Sequence, residues 1–417
     1  MSSNSLCRPG RPPGVATVAV PCALAAMVLL GNAGCVPADD VAISLAALET
    51  PAPAGSALPD LAVGADGRLY LSWVEPDGGG FHALRFSVLG HAGWDEPRTV
   101  ARGEDWFVNW ADFPGMAALA DGTLAAHWRV KSAEATYAYD AMLSVSTDGG
   151  GSWSEPRPAH DDGTTTEHGF VSLLPVEQRF LVVWLDGRGM AEPQPGPMTL
   201  RSAWLDAAGE VSGERVVDEQ VCDCCATDLA SVPGGGVTLA YRDRSPEEVR
   251  DISLARLRGD AWSAGGAVHD DGWVIAGCPV NGPALASGSR GVGCAWFTME
   301  DERGRVRLAL EPHATEGFGE PVEIDGGDPV GRLDLVSLDE AGWLASWIER
   351  ETDRAAIRVQ RVDATGALAG EPLSVPALAA RSSGVPRLAR IGETTVLAWT
   401  AVEGEITSVR TARLSLR

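Results

Sequence analysis

Lysine is almost absent from this sequence: Lys131 is the single lysine among 33 basic residues, and aromatic residues make up only 6% of the 417. Acidic residues outnumber basic ones by 57 to 33, so the formal charge is −24. This balance disfavours nucleic acid and anionic membrane surfaces as partners bound through charge. Because Lys131 is the single lysine, it is the one candidate for Schiff-base chemistry. Beyond the N-terminal region, no segment has the ~20 consecutive apolar residues of a membrane-spanning helix.

The N-terminus has the pattern of a bacterial export signal. Arg8 and Arg11 precede an apolar stretch over residues 15–30, and small residues follow it up to Cys35. A basic region before a short apolar region is typical of a secretory signal peptide. The Ala-Gly-Cys sequence resembles a lipobox, in which the cysteine sulfur carries a lipid. We expect residues 1–34 to be a lipoprotein-type signal peptide, Cys35 to be the only membrane anchor, and the protein to be exported to the cell envelope. Cleavage without lipidation is the alternative.

A short β-rich run that ends in an aromatic residue recurs seven times. The aromatics are Trp73, Trp128, Trp184, Tyr241, Trp296, Trp347 and Trp399. Turn signals precede the runs, and 49 glycines and 27 prolines supply many turns. Four short strands per ~54-residue unit, repeated around a ring, is the β-propeller arrangement. We therefore predict an all-β fold, a seven-bladed β-propeller over residues 59–417, with six blades as the alternative. The recurring aromatics are expected to pack between blades.

The segment 35–58 is predicted to be an anchor and linker. It contains an apolar run over residues 41–48 that belongs to no repeat. The last repeat has room for about three strands after Ser383. We expect the apolar run to supply the fourth strand and close the ring.

One turn carries a recognisable motif. Ser146, Asp148, Gly150 and Trp153 fit the pattern S-x-D-x-G-x-x-W, and the segment resembles the Asp-box of BNR repeats in sialidases and related propellers. Its carboxylate and hydroxyl would satisfy turn amides, and its glycines would take positive φ angles. The expected role is structural, in the turn between a third and a fourth strand.

The central third of the chain is similar to exported bacterial sialidase-like propellers with BNR repeats. The similarity lies in the stretches VCDCCATDLA (221–230), YRDRSPEEVRDI (241–252) and VHDDGWVIAGCPVNGP (268–283). It implies a propeller that recognises, and in the enzymatic interpretation hydrolyses, an extracytoplasmic glycan or other acidic ligand as an exo-sialidase-like glycoside hydrolase. The alternative is a non-enzymatic binding or assembly scaffold.

In a propeller, the loops between blades and the loops after the second strands converge on the mouth of the channel, where ligands bind. The residues predicted to bind the ligand there are Arg188, Arg242, Arg244, Arg250 and Asn281. Guanidinium groups pair in a bidentate way with carboxylates, which suits an acidic ligand. The candidates for acid–base catalysis are Asp228, Asp251 and Asp271. The resemblance implies a tyrosine nucleophile beside a glutamate, for which Tyr137 and Tyr139 are the candidates.

The cysteines predict a second kind of site. Cys222, Cys224, Cys225 and Cys278 belong to adjacent blade joints, whereas Cys294 has the spacing of a buried strand residue. In an exported protein, disulfides such as a link from the CxCC cluster to Cys278 are the first expectation. A Zn or Cu(I) site formed by the thiolates is the second, and a redox pair is the third.

Isolated residues carry weaker signals. His168 and His269 lie in predicted mouth loops, where we expect hydrogen bonding rather than catalysis. Trp106, Trp110 and Trp273 are candidates for stacking on sugar rings or for plugging the loops between blades.

Overall fold

The computed structural model describes residues 42–232, 235–313, 317–352 and 354–416. The predicted signal peptide (1–34) and the predicted lipid anchor Cys35 lie outside the described residues. Within the described ranges, no helix combines the length and the apolar character needed to cross a bilayer.

The described residues form seven antiparallel sheets of four strands each. Strand β1 spans Ile43–Leu48, and the first sheet contains β2 (Ala57–Val63), β3 (Leu69–Pro76), β4 (His82–Val88) and β5 (Arg98–Gly103). The second and third sheets contain β6 (Gly115–Ala118), β7 (Leu124–Lys131), β8 (Tyr139–Ser146), β9 (Arg157–Pro158), β10 (His168–Val176), β11 (Arg179–Asp186), β12 (Thr199–Leu205) and β13 (Val211–Asp218). The fourth and fifth contain β14 (Asp228–Ser231), β15 (Val237–Arg242), β16 (Ile252–Arg258), β17 (Ala261–Ala267), β18 (Ala284–Gly288), β19 (Gly291–Glu300), β20 (Arg303–Pro312) and β21 (Val322–Glu323). The last two contain β22 (Pro329–Ser337), β23 (Trp343–Arg350), β24 (Ala355–Val362), β25 (Leu368–Ala377), β26 (Arg387–Ile391), β27 (Thr394–Glu403) and β28 (Ile406–Leu416). Short 3-10 helices occupy Arg188–Met190, Asp339–Ala341 and Arg381–Ser383.

The seven sheets close into a ring. The first strands of successive sheets contact one another in order, from β2 through β6, β10, β14, β18 and β22 to β26, and β26 contacts β2 again. The prediction of an all-β, seven-bladed propeller is confirmed, and the six-bladed alternative is wrong because every one of the seven repeats forms its own sheet.

Strand β1 completes the seventh sheet from the other end of the chain. It pairs antiparallel with β28, with Ile43 opposite Leu416 and Leu48 opposite Thr411. The order in this sheet is β26-β27-β28-β1. The outermost strand of the last blade therefore comes from residues that precede the first blade, and strand pairing joins the two ends of the ring.

The recurring aromatics form the core between blades, as expected. The side chains of Trp73 and Trp184 are fully buried, and Trp347 is 1% exposed. In three blades the indole N–H donates to a carboxylate two residues further along the second strand: Trp73 to Glu75 (2.7 Å), Trp184 to Asp186 (2.8 Å) and Trp347 to Glu349 (2.8 Å). Because residues i and i+2 lie on the same face of a strand, each repeat satisfies its own buried indole.

The Asp-box segment forms the turn between β8 and β9. Ser146 Oγ donates to Asp148 Oδ1 (2.8 Å) and accepts from the Gly150 amide (2.8 Å), while the Ser152 amide donates to Asp148 Oδ1 (2.9 Å). Trp153 packs edge-on against Phe86 of the preceding blade, with ring centroids 6.2 Å apart. The motif residues therefore have structural contacts.

Candidate functional site

A cavity of about 250 Å³ lies where the first strands meet the blade joints at the propeller axis. Its wall includes three arginines, three aspartates, a histidine and three aromatic rings, namely Arg129, Arg332, Arg387, Asp60, Asp112, Asp228, His127, Trp110, Phe113 and Phe170. The residues come from several blades because every first strand faces the axis.

Two of the three arginines are neutralised by carboxylates. Arg129 forms an ion pair with Asp112, and both side chains are 1% exposed. Arg387 lies 3.0 Å from Asp60 and 3.5 Å from Asp334 through its Nε atom. These pairs offset the cost of burying charge at the axis.

Arg332 differs from both. Its Nη1 donates to the carbonyl of Ala380 (2.6 Å), and its guanidinium carbon lies 4.2 Å from the centre of the Trp110 ring. Among the described residues, no carboxylate lies within ion-pair distance of it. Burial, together with the nearby Arg350 and Arg381, lowers its pKa to about 10. The wall at this point is therefore electropositive, in a protein that is strongly acidic as a whole.

Asn281 and Gly331 set the position of Arg332. The Arg332 backbone has a φ of 57°, which is unfavourable for a residue with a side chain, and its amide donates to Asn281 Oδ1 (2.8 Å). Asn281 Nδ2 donates in turn to the Val330 carbonyl (3.1 Å). A Cβ atom on Gly331 would lie 2.3 Å from Asn281 Oδ1, so this approach requires glycine. Asn281, which the sequence predicts as a ligand-binding residue, lies in the cavity wall and positions the arginine.

The four arginines predicted from the sequence do not line the cavity. Arg242 is 2% exposed and donates to the carbonyls of Asn281 (2.9 Å), Arg250 (2.6 Å) and Phe297 (2.7 Å). Through these bonds the guanidinium links the fourth and fifth blades.

The other three predicted arginines have carboxylate partners. Arg244 and Arg250 both bond to Glu248, each at 2.7 Å, whereas Arg188 pairs with Asp186 (2.7 Å) and lies in a different blade. The expected convergence of Arg188, Arg242, Arg244 and Arg250 on one pocket is therefore not found. Each guanidinium is already engaged, and for Arg188, Arg244 and Arg250 the carboxylate lies within four residues along the chain.

Of the three predicted acid–base residues, only Asp228 lines the cavity. Its two oxygens accept from the amides of Leu229 (2.8 Å) and Leu285 (2.7 Å), which joins the fourth and fifth blades. Burial raises the pKa of Asp228 to about 7. Asp251 accepts from the Gly272 and Trp273 amides, at 2.8 and 3.0 Å.

Asp271 holds a second blade-joining contact outside the cavity. Its Oδ2 accepts from the Trp296 indole (2.6 Å), and its Oδ1 contacts Arg307 and His269. His269 therefore has a hydrogen-bonding role of the kind expected.

A tyrosine–carboxylate network lies beside the cavity. Tyr139 Oη donates to Glu167 Oε1 (2.6 Å) and also lies 3.0 Å from Asp112 Oδ2. Burial raises the pKa of Glu167 to about 8. Tyr139 is 1% exposed and its ring stacks on Phe107, with centroids 4.1 Å apart. No sequence pattern links Tyr139 to Glu167, because 28 residues separate them.

The candidate aromatic rings divide between the two expected roles. Trp106 stacks on Trp128 between blades, with centroids 5.9 Å apart, and Trp273 packs edge-on against Phe297. Trp110 lines the cavity beside Arg332. Of these three tryptophans, Trp110 is therefore the one in the cavity wall.

The predicted thiol cluster forms, but without a disulfide. The five cysteines of the described residues are all free, and the sulfur of Cys222 lies 3.5 Å from that of Cys225 and 3.9 Å from that of Cys224. The expected link to Cys278 is therefore not found. Cys222, Cys224 and Cys225 have sulfur atoms within 4.8 Å of one another, and Cys224 and Cys278 form a second such group with Asp223.

Positive charge lies against this cluster. Arg250 Nη1 donates to Cys222 Sγ (3.2 Å). Hydrogen bonding with the thiols of Cys224 and Cys225, with a contribution from Arg242, lowers the pKa of Cys222. The fourth sulfur, Cys278, is exposed, whereas Cys294 is a fully buried core thiol away from the cluster. A thiolate beside further thiols is an arrangement that soft metal ions bind.

No protein-family model and no curated protein matches this sequence. Among solved structures, the chain is similar to a protein of unknown function from Dyadobacter fermentans, with 14% identity and a TM-score of 0.51 over 91% of this chain and 100% of that one. It is also similar to the Hadza microbial sialidase Hz136 (14% identity, TM-score 0.49, 82% and 74% covered) and to a mutant of the NanB sialidase from Streptococcus pneumoniae (10%, 0.46, 87% and 69%). At these identities, the similarity shows a propeller fold and nothing further.

Proposed function

We propose that this protein binds an acidic saccharide unit, or a small carboxylate of similar size, in the axial cavity. The observation that carries the proposal is Arg332, a guanidinium in the cavity wall without a carboxylate partner among the described residues. A buried cation is costly unless an anion pairs with it, and a ligand carboxylate would supply that anion.

The dimensions and lining of the cavity suit a ligand of this class. A volume of about 250 Å³ is just below the range of about 300–1,000 Å³ for ligand pockets, which favours one sugar ring over an oligosaccharide. Trp110 offers an aromatic face next to Arg332, and aromatic rings pack against the apolar faces of sugars.

We favour a binding function over a hydrolytic one for two reasons. Tyr139, the tyrosine beside a glutamate, is buried under Phe107, where it has no path to an anomeric carbon. Both oxygens of Asp228 are occupied by backbone amides. We therefore expect no turnover of aryl sialosides or other aryl glycosides.

Calorimetric titration with glucuronate and N-acetylneuraminate, with glucose as the neutral comparison, tests the binding proposal. Arg332→Ala should weaken binding of the acid about 10- to 100-fold, since a charge-assisted hydrogen bond contributes about 1.5–3 kcal/mol. Arg332→Lys should retain part of the affinity because it keeps the charge.

Arg413→Ala is the matched control, because Arg413 is an exposed arginine on the last strand, away from the cavity. It should bind as the unmodified protein does. If Arg332→Ala and Arg413→Ala bind the acids equally, or if glucose binds as tightly as the acids, recognition of a carboxylate by Arg332 is wrong.

The thiol cluster supports a second candidate function, the holding of a soft metal ion. Cys222, Cys224, Cys225 and Cys278 would be the ligands, and Cu(I) and Zn are the ions that thiolates select. Because the basic and apolar N-terminal segment supports export, we propose that this occurs in the cell envelope, with the chain anchored through Cys35.

Loading the chelator-treated protein with Cd²⁺ and measuring the near-ultraviolet thiolate-to-metal absorption tests the cluster. Cys278→Ser, at an exposed position, should lose about a quarter or more of this absorption and weaken Cd²⁺ binding by at least tenfold. Cys294→Ala removes a thiol outside the cluster and should leave the signal unchanged. Absence of the band in the unmodified protein, or its equal loss in both variants, would contradict the assignment.

A further inference from the structure

We infer that His160, His168 and Asp140 form a binding site for a divalent transition-metal ion, separate from the axial cavity and from the cysteines. The site does not depend on the proposed function. Its ligand set, two imidazoles and one carboxylate, comes from two neighbouring blades.

The three ligand atoms surround a common point. His160 Nε2 lies 3.5 Å and His168 Nδ1 lies 3.7 Å from Asp140 Oδ1, and all three atoms are within 4.8 Å of one another. Two atoms bound to one ion at about 2.1 Å and a tetrahedral angle lie about 3.4 Å apart. The spacing is therefore that of ligands around a metal, and it is too long for direct hydrogen bonds.

Burial without hydrogen bonding is the independent observation that indicates a ligand. His168 is fully buried and His160 is 7% exposed, yet none of their four ring nitrogens has a hydrogen-bond partner. Asp140 Oδ1 is likewise buried and unpartnered. Buried polar atoms are nearly always satisfied, and three of these five, His160 Nε2, His168 Nδ1 and Asp140 Oδ1, face one point, which indicates a missing partner.

Ring stacking and Asp162 set the relative position of the two imidazoles. Their rings stack with centroids 3.5 Å apart and an angle of 11° between planes, with His160 Nε2 and His168 Nδ1 both on the edge towards Asp140. Because the in-plane lone pairs of parallel rings do not converge, the rings would tilt apart when both nitrogens bind one ion. On the edge away from Asp140, His160 Nδ1 lies 2.8 Å and His168 Nε2 lies 3.1 Å from Asp162 Oδ2. Metal-binding histidines usually direct their second nitrogen at a carboxylate, and Asp162 occupies that position.

The backbone explains why Asp140 and His168 meet. Tyr139 at the start of β8 forms a parallel bridge with Glu167, directly before β10. Successive residues of a strand point to opposite sides. Tyr139 and Glu167 therefore share one side, next to the axial cavity, while Asp140 and His168 share the other.

Asp140 leaves one side of the site open to solvent, since its side chain is 27% exposed. Two histidines and one carboxylate are the ligands of non-haem Fe(II) sites and of zinc sites that retain a water. The ion would thus keep a coordination position for water or a small ligand.

The test uses the whole chain, freed of metal by a chelator and loaded with Co²⁺. Asp140→Asn should bind one equivalent less than the unmodified protein. The difference spectrum between the two should show visible d–d bands without thiolate charge transfer, which separates this site from the cysteines. Asp161→Asn is the matched control, because Asp161 is an exposed carboxylate two residues before Gly163 in the same loop.

Thermal unfolding gives a second measurement that does not depend on optical bands. Zn²⁺ should raise the melting temperature of the unmodified protein and of Asp161→Asn more than that of Asp140→Asn. Equal stoichiometry in Asp140→Asn and Asp161→Asn, or a difference spectrum that carries thiolate charge transfer, would overturn the site.

Discussion

At the scale of single residues, the context of a charged group decides its role. Arg242 lies in a stretch dense with charge, yet three backbone carbonyls use its whole guanidinium. Arg332 lies in the unremarkable stretch Val330-Gly331-Arg332-Leu333, and it carries the unpaired charge of the cavity wall. Composition around a residue therefore predicts charge density but not which charge remains free, because some of the acceptors, such as the Phe297 carbonyl, come from another blade.

Glu167 makes the stability of the fold depend on pH. Burial raises its folded-state pKa from 4.5 to about 8, so the folded protein binds more protons than the unfolded chain between these values. The free energy of unfolding should therefore fall as pH rises from about 5 to 8, by up to about 1.4 kcal/mol per unit of pKa difference. Glu167→Gln stays neutral and keeps an acceptor for Tyr139. Urea unfolding should show that the free energy of unfolding falls less between pH 5 and pH 8 in Glu167→Gln than in the unmodified protein. An equal fall in both proteins would refute this.

At the scale of elements, one short motif occurs twice, and its second aspartate has different partners in the two copies. His-Asp-Asp-Gly stands at 160–163 and again at 269–272, each time after the fourth strand of a blade, and each histidine Nδ1 lies 2.8 Å from the second aspartate. In the second copy that aspartate binds Trp296 and Arg307, whereas in the first it faces the second imidazole, His168. This repetition is the sequence signal that points to His160, a residue that is not among the sequence-based candidates.

The turn between β8 and β9 depends on Gly150. Its φ is 87°, and a Cβ atom there would lie 2.3 Å from the Phe86 ring. Gly150→Ala should therefore lower the free energy of unfolding by about 2–4 kcal/mol, through backbone strain and overpacking together. Gly122→Ala is the matched control, since Gly122 has a φ of 86° and open space around its Cβ position. Chemical denaturation should show a smaller loss of unfolding free energy for Gly122→Ala than for Gly150→Ala. Equal losses would mean that the contact with Phe86 does not contribute to the cost.

At the scale of the whole molecule, the ring holds its sites in place by carboxylates that cross from blade to blade. Asp112, Asp228 and Asp334 each accept a backbone amide from the first strand of the next blade, at 2.8, 2.7 and 2.7 Å. The same joints carry the cavity wall, so the contacts that close the ring also position the candidate site.

Removal of β1 should weaken the entire ring. A chain that begins at residue 42 retains this strand, and one that begins at residue 49 leaves β28 with an unpaired edge. The shorter chain should melt several degrees lower and should self-associate, because exposed strand edges pair with other chains. Differential scanning calorimetry and light scattering on the two chains measure both effects. Identical melting temperatures would show that β1 contributes nothing to closure.

The sequence alone determined the fold and the core. The recurring strands, the turn signals and the buried aromatics are local features repeated at a regular interval, and a closed ring follows from their number. The Asp-box turn was also readable, because all of its hydrogen bonds join residues within seven positions of one another.

Only the tertiary structure decided which polar groups meet. Arg332 depends on Asn281 from 51 residues earlier, and Tyr139 meets Glu167 across 28 residues. The unpaired arginine and the paired imidazoles each arise where segments of different blades approach. Strand periodicity determines where each blade begins and ends, but the partner of a side chain at the mouth depends on the path of its neighbouring loops.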